Sequence, residues 1–242
     1  AMFRFFLRNP ICQEMGRKFK ISFSGTDADT GLSYMHDLGF IAKIKDGKRG
    51  FKVLLGGGLG SQPRHGDVIY DFIETDKIIP LTEGTLRVFD RYGERTRRAK
   101  ARMKFLLKDI GVEAFIKLLK EEQLALVLQS VAIDTSKFEK EIQLTTLETP
   151  NVAIEDQATF QAWKAGNVFA QKQEGLFAIG IKVLLGDFYT DKARLLADLV
   201  KNYAGDEIRL SLRQNILVKH VKEELLPFFY VELQKLGFVD LG

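Results

Sequence analysis

Residues 38–60, LGFIAKIKDGKRGFKVLLGGGLG, constrain the fold more than any other stretch of the sequence. Leu38–Lys45 reads as a strand, residues 46–50 (DGKRG) as a hairpin turn, and residues 51–55 as the returning strand, which runs directly into Gly56, Gly57, Gly58, Leu59 and Gly60. Upstream, Phe19, Ile21 and Phe23 alternate with Lys18, Lys20, Ser22 and Ser24, which predicts a half-buried strand over residues 17–24 with the aromatic side against a core. Residues 25–31 (GTDADTG) are a loop by composition, and residues 61–66 lead to a short helix or turn.

The period then changes. Pro80 opens a long helical stretch with apolar faces through Leu86, Val88, Phe89, Met103 and Leu106, and a further helix follows Gly111 toward Leu128. Residues 131–158 lose any lasting period and read as a linker between a first unit, 1–130, and a second, 159–242. The second unit reads strand (175–185), helix (190–202), two short strands (207–212 and 215–220) and a helix (222–236) that stops at Gly237. That order predicts an α+β fold: a larger α+β unit followed by a ferredoxin-like half-module.

Composition narrows the chemistry. Charged residues are 28% of the 242, as in a soluble globular chain, and no apolar run is long enough to span a bilayer. Cys12 is the only cysteine, so the chain holds neither an internal disulfide nor a multi-thiolate metal site, and a reducing, cytoplasmic setting is favoured. His36, His65 and His220 lack ligand spacing, and no nucleophile–histidine signature is present. A net charge of +4 suits an anionic ligand and is too small to imply nucleic acid.

Four constellations stand out. Lys18 and Lys20, two apart on an extended backbone, point to one side about 7 Å from each other. With Arg17 before them they form either an anion-binding face or a solvated edge that deters aggregation. Gly56, Gly57 and Gly58 offer either free amides to a ligand or a flexible turn; they fit neither a P-loop nor a dinucleotide fingerprint. Arg91, Arg95, Arg98 and Arg102 would form a basic stripe on a helix, either solvated or facing phosphates or carboxylates. Arg213, Gln214 and Asn215 either line a cavity or turn the chain between two strands.

In order, RKFKI at 17–21, HDLGF at 36–40, FKVLLGGGLG at 51–60, RYGER with ARMKFL between 91 and 106, and GVEAF at 111–115 resemble the siroheme-dependent sulfite and nitrite reductase family. The likeness is specific over residues 10–120. It is weaker over 175–242, where LRQN at 212–215 is the best marker. The resemblance implies a protein of two related halves with siroheme between them, bridged through a cysteine sulfur to a 4Fe–4S cluster. Such proteins reduce sulfite to sulfide or nitrite to ammonia with six electrons, drawn from ferredoxin or a flavoprotein.

By position, Lys18 and Lys20 match lysines that face the substrate and help supply protons. Arg17 matches an arginine on the cofactor carboxylates, and Gly56, Gly57 and Gly58 match a glycine loop that packs on the cofactor. Gln214 and Asn215 are further cofactor contacts implied in the same way. Gly16 stands where the family often has proline. The family's paired cysteine motifs would lie beyond Gly242 and its first ferredoxin-like piece before Ala1. The chain is therefore expected to be a central fragment, inactive alone and without siroheme or cluster when isolated. Its expected partners are sulfite or nitrite, siroheme and an electron donor, with no nucleic acid and no membrane. A non-catalytic tetrapyrrole- or anion-binding module is the competing class, and a regulatory or nucleic-acid-binding protein using the arginine stripe is a third.

Overall fold

The computed structural model describes residues 1–136, 142, 144 and 147–241. The chain divides into two compact units, Ala1–Phe138 and Glu139–Gly242. The expected linker over 131–158 lies partly outside the described residues. The architecture is α+β.

In the first unit, strands β1 (Ile21–Ser24), β2 (Leu38–Lys45), β3 (Lys48–Leu55) and β4 (Asp67–Glu74) form one sheet in that order, with β1 parallel to β2 and the other pairs antiparallel. The hairpin turn is only Asp46 and Gly47, both at positive φ (50° and 74°), the geometry that a two-residue connection between right-twisted strands requires. Helices α2 (Ile78–Tyr92), α3 (Met103–Ile110) and α4 (Val112–Leu124) bury their apolar stripes against the sheet. Leu38, Phe40, Val53 and Leu55 share one cluster with Ile79, Val88, Met103, Phe115 and Leu119. Each such side chain contributes about 1.5–3 kcal/mol on full burial. A short helix, α1 (Met2–Phe6), precedes the sheet.

Three local expectations change. Residues 67–74 are a strand, not a helix or turn: apolar residues occupy both phases of DVIYDFIE, which hides the two-residue period, and register shifts opposite Val53 disrupt it further. The regular strand at the start of the sheet begins at Ile21, so Arg17, Lys18 and Lys20 precede it. Burial along it is also reversed, with Ser22 and Ser24 buried and Phe23 44% exposed.

The serines are buried because residues 25–37, which return the chain to β2, fold over them. Ser22 Oγ donates to the Gly31 carbonyl, Ser24 Oγ donates to Asp29 Oδ1 (2.5 Å), and Asp29 also accepts from the Ser33 amide (2.8 Å). Burial alone would raise the Asp29 carboxyl, but these hydrogen bonds outweigh it and hold it below its ordinary range.

In the second unit, α5 (Gln157–Asn167) precedes an antiparallel sheet in the order β5-β6-β8-β7. Its strands are β5 (Val168–Ala170), β6 (Leu176–Ile181), β7 (Ile208–Leu210) and β8 (Ile216–Lys222). Helices α6 (Thr190–Tyr203) and α7 (Leu226–Leu236) supply Leu196, Leu199, Val200, Phe229 and Leu233 to a core completed by Phe160 and Trp163 of α5. Gly237 ends α7 at φ 73°; its amide reaches the Gln234 carbonyl and the Phe238 amide reaches Leu233, the paired bonds of a Schellman stop. Among the described residues no helix is long and apolar enough to cross a membrane.

Candidate cofactor and anion site

A cavity of about 690 Å³ opens in the first unit, within the range of small-molecule sites. Phe19, Ile21 and Phe23 line it at alternate positions, α1 contributes Met2, Phe3 and Phe6, and Arg17 and Lys18 bring positive charge. The aromatic side of this segment therefore faces a cavity that the hydrophobic core does not fill.

Arg17 is half-buried, and its Nε is buried without a hydrogen-bond partner. A buried guanidinium N–H left unpaired is costly, so Arg17, which lines the cavity, is short of an acceptor. Lys18 and Lys20 are exposed, and neither they nor Arg17 form an ion pair among the described residues. Lys18 lines the cavity; Lys20 does not.

Lys20 is instead fixed through its backbone. Its amide donates to Asp37 Oδ2 (3.0 Å) and its carbonyl accepts from the Leu38 amide (3.1 Å). The Asp37 side chain is 1% exposed and is gripped by Arg102, whose Nη2 reaches both carboxylate oxygens at 2.9 Å while Nε reaches Oδ1 at 3.2 Å. Burial pushes the Asp37 carboxyl up, against the opposing pull of Arg102 and of the Lys20 amide. Sequence reasoning assigns this residue no role beyond its place in the HDLGF motif at 36–40. The signal was available: an acid immediately before a strand of buried residues has to find a cation.

The glycine run closes the same network from behind. Gly56, Gly57 and Gly58 are all buried. The Gly56 amide donates to the Asp37 carbonyl (2.8 Å), and Gly58 exchanges two backbone bonds with Arg64 (2.9 Å each), so these two amides are not free for a ligand. A Cβ on Gly57 would come within 2.2 Å of the Tyr34 carbonyl oxygen, and one on Gly56 within 2.1 Å of Leu107. The glycines are there because the chain's own backbone passes close by. Lys104, 6% exposed, fastens the following loop by donating to the carbonyls of Leu59 (3.0 Å) and Gln62 (2.6 Å); burial, then Arg102, pushes its ammonium down.

The arginines do not form one helical stripe. Helix α2 ends at Tyr92 and α3 starts at Met103, and Gly93 breaks the helix between them. Arg91 pairs with Glu122, Arg95 with Asp90 and Arg102 with Asp37. In the second unit, Gln214 and Asn215 belong to the turn between β7 and β8. Gln214 is exposed at φ 62°, and Asn215 Oδ1 accepts from the Val183 amide (3.1 Å).

An acidic tetrapyrrole requires apolar surface for its faces and unpaired cations for its carboxylates. The orphaned Arg17 N–H, Lys18 and the aromatic lining supply both, so the residues fit such a group. They do not fit an iron–sulfur cluster. Four thiolates are needed, whereas Cys12 is the only cysteine and burial, then Glu83, raises its thiol.

Residues 3–127 match the family described as nitrite and sulphite reductase 4Fe-4S domain, and residues 169–236 match the nitrite/sulfite reductase ferredoxin-like half domain. The chain is 28% identical over 218 residues to a chloroplastic ferredoxin–nitrite reductase of Arabidopsis thaliana, covering 88% of this chain and 33% of that one. It is 30% identical over 220 residues to an assimilatory ferredoxin-dependent nitrite reductase of Haloferax mediterranei, covering 86% and 34%. A sulfite reductase [NADPH] hemoprotein beta-component of Nitrobacter hamburgensis is 30% identical over 223 residues, covering 83% and 38%. The solved structure of Mycobacterium tuberculosis NirA protein shares the fold, with TM-score 0.71 and 24% identity over 98% of this chain and 39% of that one. The chain thus spans about a third of the length of the curated relatives it matches. With the first of these matches extending over more than half of its residues, the chain belongs to the siroheme-dependent nitrite and sulfite reductase family.

Proposed function

We propose that this chain forms part of the siroheme and oxyanion site of an enzyme that reduces nitrite to ammonia or sulfite to sulfide. The observation that carries the reading is the buried, unpartnered Nε of Arg17 at the edge of an aromatic-lined cavity. When bound, siroheme supplies the iron at which the oxyanion is held and receives electrons. Arg17 holds cofactor carboxylates, which its forked donors suit. Lys18 and Lys20 stabilise negative charge as the oxyanion is reduced, and as ammonium groups they can give up the protons with which its oxygens leave as water. The glycine run acts behind them by holding Asp37 and the loop that Lys104 fastens.

Cysteine ligands for a 4Fe–4S cluster have to come from outside these 242 residues. The 242-residue chain alone therefore does not turn over and carries no siroheme when purified. Ferredoxin is the electron donor this reading favours, since several relatives are named for it, and the setting is the reducing cytoplasm. The test is made in the reductase that contains this chain together with its cysteine-bearing remainder. Lys18→Met and Lys20→Met are each expected to lower turnover about a hundredfold while the Soret absorbance per mole of protein stays near wild type. Arg17→Ala is expected to lower the Soret absorbance itself. Wild-type turnover with both nitrite and sulfite in the two lysine variants would overturn the assignment.

A further inference from the structure

We propose that the buried Asp37–Arg102 pair is a positioning unit that fixes the backbone at Lys20 and thereby aims the cationic segment 17–20. This rests on the reading that Lys20 faces an anionic ligand.

Lys20 lies outside the regular strand, so sheet pairing alone does not determine where its side chain points. Two bonds hold it, and both come from consecutive residues of one short segment: the Asp37 carboxylate takes its amide and the Leu38 amide takes its carbonyl. Asp37 cannot swing to another partner. Its two carboxylate oxygens are occupied by Arg102, its own carbonyl accepts the Gly56 amide, and its side chain is shut off from water. Arg102 is necessary in turn, because an enclosed carboxylate without a bidentate cation would be protonated or would pull its segment toward solvent. A residue sixty-five positions away in sequence from Asp37 thus bears on the direction of a lysine that it never touches.

Asp37 and Arg102 make no contact with ligand in this scheme. They act through Lys20, which separates the proposal from a general role in stability. Amide hydrogen exchange on the full 242-residue chain gives the first readout, comparing wild type with Asp37→Asn and, should that variant fold poorly, Arg102→Lys. Exchange at Lys20 is expected to accelerate by about tenfold or more, the consequence of losing a hydrogen bond to a charged acceptor. Phe40 and Val53 in the strands behind should keep their protection. Unchanged exchange at Lys20, or an equal loss at Phe40 and Val53, overturns the proposal.

The second readout is turnover with nitrite, in the reductase that contains this chain together with its cysteine-bearing remainder, for Lys20→Ala, Asp37→Asn and the double variant. If Asp37 works through Lys20, the double variant is no slower than the slower single one. Losses that multiply in the double variant mean that Asp37 acts independently, and the proposal fails. If Lys20→Ala turns over as fast as wild type, the ligand-facing reading of Lys20 fails, and exchange at Lys20 still decides whether Asp37 positions it.

Discussion

At Gly57 a methyl group would have to share space with the Tyr34 carbonyl oxygen, 2.2 Å from its ideal position, and with the His36 carbonyl at 2.8 Å. Both obstacles are backbone, so neither can rotate away. Gly57→Ala is therefore expected to lower unfolding free energy by about 1–3 kcal/mol, measured by urea denaturation with an unchanged slope. A loss below a few tenths would show that the loop yields freely. The glycine run was visible in the sequence; its cause was not, because Tyr34 and Leu107 reach it from distant parts of the chain. Asp37 shows the same divide. Its type and its place before a buried strand are legible, whereas the spacing of its partner Arg102 predicts a helical stripe, solvated or facing phosphates or carboxylates, that the fold does not form.

Between α2 and α3 the chain turns on Glu94. Its carboxylate accepts from Thr96 Oγ1 (2.6 Å), from the amides of Thr96 (2.8 Å) and Arg97 (3.1 Å) and from Arg97 Nε (2.6 Å). The Thr96 hydroxyl first, then Arg97, lowers the carboxyl from 4.5 to about 2. A carboxyl depressed on folding stabilises the native state above its unfolded value and loses that contribution as pH falls toward its folded value. The melting temperature of wild type should thus exceed that of Glu94→Gln at neutral pH, with the gap closing between pH 4.5 and about 2. A gap that stays constant across that window would show the turn to be held otherwise.

Other elements were legible to the degree that their apolar residues kept one phase. Helix α6 did so, while the β2–β3 hairpin was marked by its turn residues although Ile41 and Leu54 are buried on the second phase. In β4 both phases are apolar, and α5 was missed although Asp156 caps it by accepting from the Thr159 amide (3.0 Å). The reversal in β1 had a different cause, since alternation identifies two sides without saying which one a distant loop will cover.

Across the whole molecule each unit has its own apolar cluster, built from its own residues. Phe229, fully buried among Trp163, Leu199 and Leu233, should cost the second unit about 3–5 kcal/mol on replacement by alanine. Amide protection at Phe40 and Phe115 should persist in that variant; loss of protection in both clusters together would mean that they melt as one. Two α+β units were foreseeable from the changes of period, whereas the cavity was not, because it depends on α1 and the residue 17–23 segment meeting.

The link between β1 and β2 carries a last consequence. Parallel neighbours ordinarily need a long, often helical, crossover, yet here residues 25–37 are organised by the single carboxylate of Asp29 and the serines around it. The tip adds a turn bond from the Asp29 amide to the Thr26 carbonyl and an ion pair of exposed Asp27 with Lys43 that contributes little, and lengthening a flexible loop is entropically cheap, about 0.6 kcal/mol per doubling. Relatives of this protein are thus at liberty to vary the stretch between Gly25 and Asp29 in length and sequence without disturbing the lysines, provided the clasp itself survives.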